Sequence, residues 1–134
     1  MTARAYSTPP DAPGPKTRVF PQADGAEPAI DLVHLARATD GDESLEAELL
    51  AMFDRQSEKL VERVKRDDLP RRARADIAHR LRGSALAIGA FAVARAAEAL
   101  EAALDGQGET QAEIAATETA VAAARAAIAE LEGR

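Results

Sequence analysis

The chain has 134 residues, enough for one ordinary domain and too few for two. It is 46% hydrophobic but only 3% aromatic, has no cysteine and carries a formal net charge of −6 at pH 7. Those values exclude a disulfide framework and thiolate chemistry, make a reducing cytoplasm the expected setting, and argue against general nucleic-acid binding. No charged segment followed by a continuous apolar stretch opens the chain, so no signal peptide is expected. No run approaches the ~20 apolar residues of a membrane-spanning helix. Much of the apolar share is alanine, which favours helix strongly yet buries little area per residue. The composition therefore predicts closely packed helices around a modest core.

Residues 1–28, "MTARAYSTPPDAPGPKTRVFPQADGAEP", hold six of the seven prolines. Proline removes backbone donors and disfavours helix at the residue before it, so this segment reads as a disordered tail. Order is expected from about Ala29, giving a domain over residues 29–134. The stretch "IDLVHLARAT" reads as a short helix with Asp31 near its start. Next, "GDESLEAELLAMFDRQSEKLVERVKRDD" sets Leu45, Leu49, Met52, Phe53, Leu60 and Val64 on one face, the spacing of an amphipathic helix that stops before Pro70.

A third helix is predicted from near Pro70, a residue suited to a first helical turn, to about Gly89. A fourth, "FAVARAAEALEAALD", lines up Val93, Ala97, Leu100 and Leu104, and "GQG" ends it. The fifth, from about Glu109 to Glu132, carries Ile114, Val121 and Ile128 at sevenfold spacing, with Ala124 and Leu131 beside them. No strand pattern occurs. The predicted fold is all-α: an antiparallel up-down-up-down four-helix bundle with a short extra N-terminal helix.

The stretch "IAHRLRGSALAIGA" places one histidine, His79, and two glycines inside the third helix. Ile77, Leu81, Ala85 and Ile88 form its apolar stripe. At ~100° per residue, His79 lies about 160° from Ile77 and from Leu81, on the opposite side. Arg72, Asp76, Arg82, Gly83 and Leu86 share that side. His79 is therefore expected to face solvent, where the ordinary account of a satisfied core histidine fails. Gly83, one turn on, costs about 1 kcal/mol relative to alanine, and no packing need on a solvent face explains it. Close approach of a partner to the ring would explain it. Gly89 lies near the helix end, where a terminating turn or a tight helix contact suffices.

Arg80 and Arg82 flank the ring, with Arg71, Arg72 and Arg74 upstream. Cations near a helix N-terminus oppose its dipole. The upstream arginines fit a solvated face with counter-ions as well as a docking role. Arg82, one turn from His79, is placed to meet negative charge arriving at the ring.

This stretch resembles the histidine phosphotransfer (HPt) domain family, whose motif runs His-x-Leu-Lys-Gly-small-small-x-x-apolar-Gly. The matching residues are His79, Leu81, Arg82, Gly83, Ser84, Ala85, Ile88 and Gly89. In helix layout the resemblance covers roughly residues 30 to 132, and its specific part is the motif. It implies that His79 carries a phosphoryl group on Nε2, taken from and returned to a receiver-domain aspartate. Arg82 stands where the family usually has lysine, keeping the charge but replacing a compact ammonium with a planar fork. The resemblance to chemotaxis kinase domains further matches Glu101, in "LEAALD", to a glutamate that accepts from the histidine's Nδ1, a position where many members have glutamine. Such a carboxylate would hold the tautomer that leaves Nε2 free. Glu101 also reads as a plain polar residue beside Leu100, and Glu98 is the alternative partner.

Transfer of this kind rests mostly on positioning, with neutral imidazole attacking phosphorus in line. Magnesium is expected on the receiver, and no cofactor or metal on this chain, which has no metal-spaced His, Cys, Asp and Glu cluster. His34 reads as an ordinary partly buried or surface histidine. Docking of receiver domains and of a hybrid sensor kinase is expected around His79, on Arg72, Asp76, Arg80, Gly83 and Leu86, with part of the first helix. The absence of a Gly-rich nucleotide loop argues against an autonomous kinase, and a bundle this small is most simply a monomer. Two other readings compete with the phosphorelay carrier. One is an adaptor bundle that binds receivers without phosphotransfer. The other is nucleic-acid binding through "KRDDLPRRARADIAHRLRG", disfavoured by the net charge and the scarcity of aromatic residues.

Overall fold

The computed structural model describes residues 27–133, so the tail expected over residues 1–28 lies outside the described residues except for Glu27 and Pro28. Five helices follow in order: α1 (Leu32–Ala38), α2 (Glu43–Val64), α3 (Arg71–Ile88), α4 (Phe91–Asp105) and α5 (Gln111–Glu132). The described residues contain no strand. Helices α2 to α5 stand in a ring in which α2 meets α3 and α5, and α4 meets α3 and α5, while the diagonal pairs stay apart. The direction of the chain alternates around that ring. Arg74, at the start of α3, reaches the last carbonyl of α2, and Asp54 of α2 and Lys65 just past its end meet Arg125 and Glu118 of α5 in reversed order. The architecture is the antiparallel four-helix bundle, with α1 laid across one end.

The core follows the apolar stripes. Ile77, Leu81, Ala85 and Ile88 of α3 are buried, as are Val93, Ala97, Leu100 and Leu104 of α4. Helices α3 and α4 pack most closely of all. The cause is composition: Ala75, Ala78, Ala85, Ala94 and Ala97 are buried, and a methyl group lets two backbones approach where a leucine would hold them apart. On α5, Val121, Ala124 and Ile128 are buried, and Ile114 and Leu131 pack against the core from its margin.

On α2 the apolar stripe and the core coincide only in part. Phe53, Leu60 and Val64 are buried, but Leu45 and Met52 are 38% and 43% exposed, and Leu50, Ser57 and Val61 take the inner positions instead. Leu45 and Met52 fall on the edge of α2 facing outward beside α3, so a stripe drawn through every large apolar residue is wider than the buried one. The helix stops at Val64, before Pro70 as its sequence predicts, and Arg74 takes the Val64 carbonyl at 2.8 Å. Asp67 and Asp68 would also oppose the dipole of any further turn.

Helix starts are capped as their sequences allow. The Asp31 carboxylate accepts from the amides of Val33 and His34, both at 3.0 Å, and Asp42 does the same for Leu45. Pro70 sits just outside α3 as its N-cap instead of inside its first turn. Gly89 ends α3 in the left-handed region at φ 83°. Its carbonyl accepts from the Asp31 amide at 2.9 Å, and a Cβ on Gly89 would stand 2.8 Å from the Asp31 carbonyl oxygen. This glycine is thus both a terminator and a point of contact. It fixes the start of α1 against the end of α3, and with Ala90 it makes the whole link to α4.

Candidate functional site

His79 projects from the middle of α3 with 63% of its side chain exposed. The neighbours that form the inner face, Ile77, Ala78 and Leu81, are buried, so helical periodicity alone turns the ring outward. Glu101 comes from α4, three residues before the buried Leu104, with 28% of its side chain exposed. Its Oε1 and Oε2 atoms both lie 3.2 Å from His79 Nδ1. A carboxylate can only accept, so this contact selects the tautomer with hydrogen on Nδ1 and leaves the Nε2 lone pair pointing away from the protein. Glu98, one turn earlier on α4, is exposed, and the carboxylate at the ring is that of Glu101.

Beside the ring the surface is open. Gly83 is exposed, and a Cβ built on it meets nothing within 4 Å. No contact inside the chain therefore requires a glycine there. Arg82 is partly buried one turn above the ring, while Arg80 is exposed on the other flank. Leu86, at 39% exposure, adds an apolar patch one further turn along. Arg72 and Asp76 pair with each other at 3.6 Å on the same outward side, and Arg72 also reaches Asp105 at 3.7 Å. Exposed pairs of this kind contribute at most a few tenths of a kcal/mol to about 1 kcal/mol.

The other two upstream arginines are neither solvated nor free to dock. Arg71 donates to the carbonyls of Ala103, Leu104 and Gly108 at 2.8, 3.2 and 3.0 Å. Arg74 is 6% exposed and donates to Val64. Both therefore cap the C-terminal ends of neighbouring helices, α4 and α2. Their own helix dipole disfavours them at the start of α3, but the negative ends of two antiparallel neighbours lie alongside. A sequence read one helix at a time has no access to that compensation.

His34 packs edge-on against Phe91, with ring centroids 5.1 Å apart and planes at 76°, remote in role from the exposed ring. Among the described residues, no group of three or more His, Cys, Asp and Glu side chains is arranged to hold a metal ion. No described helix is long and apolar enough to cross a membrane.

Comparison with known protein families gives a match to the model described as Hpt domain over residues 47–134, which runs from the first turns of α2 through α5 and includes both His79 and Glu101. The chain belongs to the Hpt domain family. Hpt domains serve histidine phosphotransfer in phosphorelays, where they interact with receiver domains and kinases. No curated protein and no solved structure matches the chain.

Proposed function

We propose that this Hpt domain, over residues 29–134, is a phosphorelay carrier that accepts a phosphoryl group on Nε2 of His79 from a receiver-domain aspartate and passes it to another. One observation carries the reading: an imidazole exposed to solvent, with Nδ1 held by Glu101 and open space beside it at Gly83. The Nε2 lone pair attacks phosphorus in line, a P–N bond forms, and the P–O bond to the aspartyl carboxylate breaks with that carboxylate as leaving group. The Nδ1–H bond to Glu101 stabilises the positive charge that the ring acquires as the bond forms. Arg82 supplies a cation near the incoming phosphoryl oxygens. Magnesium belongs, on this reading, to the acidic pocket of the receiver.

Arg72, Asp76, Arg80, Gly83 and Leu86 form the face on which the partner docks, a small and transient contact of the signalling kind. Incubation with a phosphorylated receiver domain should transfer acid-labile, base-stable label to the protein and none to His79→Gln. A wild-type chain that takes no label from any member of a receiver panel would instead be an adaptor that binds without transfer.

A further inference from the structure

Beyond the ring and its carboxylate, the surface next to His79 carries a second feature, on α2. That helix repeats an acid–base pair every four residues: Asp54-Arg55, Glu58-Lys59 and Glu62-Arg63. A step of four keeps each kind of charge in its own row along the helix. The acidic row turns toward α5. Asp54 accepts from Arg125 at 2.7 Å and Glu58 lies 3.4 Å from the same guanidinium, and those contacts, the Asp54 hydrogen bond first, hold Arg125 above its ordinary pKa.

The basic row turns the other way, toward α3. There Lys59 and Arg63, with Gln56, Leu60 and Arg80, line a cleft of about 280 Å³ between the two helices. Arg80 follows His79 on α3, about 100° around the helix, so the cleft lies on the side of α3 adjoining the face that carries the ring. Among the described residues no carboxylate pairs with Arg55, Lys59, Arg63 or Arg80. The only carboxylate in α3, Asp76, is engaged by Arg72. Like charges four residues apart repel along a helix, and among the described residues no ion pair offsets them. Toward the α1 end the groove changes character. Gln56 also lines a smaller depression floored by Leu49, Met52, Phe53, Ala87 and Ile88.

We propose that the Lys59–Arg63–Arg80 cleft is a docking subsite for an acidic segment of the receiver domain that exchanges phosphate with His79. The inference rests on the carrier reading above and adds to it a partner-selecting surface on α2. Charge complementarity identifies the occupant. The chain as a whole carries −6, so an acidic partner is repelled at long range unless a local positive surface faces it. The cleft contains no aromatic side chain on which a nucleotide base could stack, and the apolar depression beyond Gln56 suits the side of a protein segment. A segment with carboxylates at one end and apolar residues at the other would lie in the groove in one direction only.

The test compares wild type with a Lys59→Glu/Arg63→Glu double variant, using two donors. One donor is a phosphorylated receiver domain, chosen because it labels the wild-type chain. The other is phosphoramidate, which phosphorylates imidazole and has no docking surface. The double variant should take label from the receiver about tenfold more slowly at low ionic strength, with the difference shrinking as salt is raised. Phosphoramidate should label both proteins at the same rate. Equal receiver rates at low salt would overturn the subsite, and so would an equal loss with phosphoramidate, which would signal damage at the ring. If no receiver labels the wild type, the carrier reading itself fails, an outcome distinct from both.

Discussion

The glycine within α3 and the glycine that ends it call for opposite outcomes when alanine replaces them. At Gly83 a Cβ would enter open space in a helical segment. Gly83→Ala should therefore stabilise the bundle by about 0.5–1 kcal/mol, read from urea unfolding. Gly83→Trp should leave the helical circular dichroism intact and abolish transfer from a receiver, because the indole would fill the space beside the ring; undiminished transfer would show that no partner needs that space. At Gly89 the backbone is left-handed and a Cβ would press on the Asp31 carbonyl. Gly89→Ala should cost about 1–3 kcal/mol in the same measurement. The outward direction of His79 was legible from spacing alone, since a helix gives each residue a fixed angle. The choice between Glu98 and Glu101 was not, because both are polar positions one turn apart on α4. The register of α4 against α3 decides it, and that register comes from the two-residue link at Gly89 and Ala90.

Between elements, the contacts that matter most are arginine caps crossing from one helix to the next. Arg74 is buried and its guanidinium satisfies a carbonyl at the end of α2. Arg74→Met should lower stability by about 1–3 kcal/mol, because a buried acceptor loses its donor while most of the side-chain volume stays. Amide exchange should quicken first in the last turn of α2, and protection left unchanged there would remove the cap from the account. Sequence reasoning located these arginines and their conflict with the α3 dipole, but it treated α3 as isolated and so left them as a solvated or docking surface. The partial exposure of Leu45 and Met52 has a similar origin. Hydrophobic spacing shows that α2 has an apolar side; only the neighbours determine how much of that side they cover.

For the molecule as a whole, the core sets the terms. It interleaves seven alanines with fifteen larger apolar side chains, and Leu81, Leu100 and Leu104 are among the largest that are fully buried. Leu100→Ala should cost about 2–5 kcal/mol, a large share of what a domain of this size possesses, and should lower the thermal midpoint by well over ten degrees. A shift of only a degree or two would mean that the helices close over the missing volume. The all-helical bundle was readable from composition and period, because each amphipathic stripe needs a partner and short links leave antiparallel neighbours as the simplest arrangement. The charge segregation of α2 was visible in the sequence as its four-residue repeat, but its significance depends on which neighbour faces each row.

The ring and its carboxylate stand on the two arms of one helical hairpin, Arg71 to Asp105, joined by only two residues. Their spacing is therefore an internal property of that hairpin, with α2 and α5 acting as buttresses behind it. A reactive pair so contained is portable: grafted between other supporting helices, it would keep its geometry while the address written on those supports was changed.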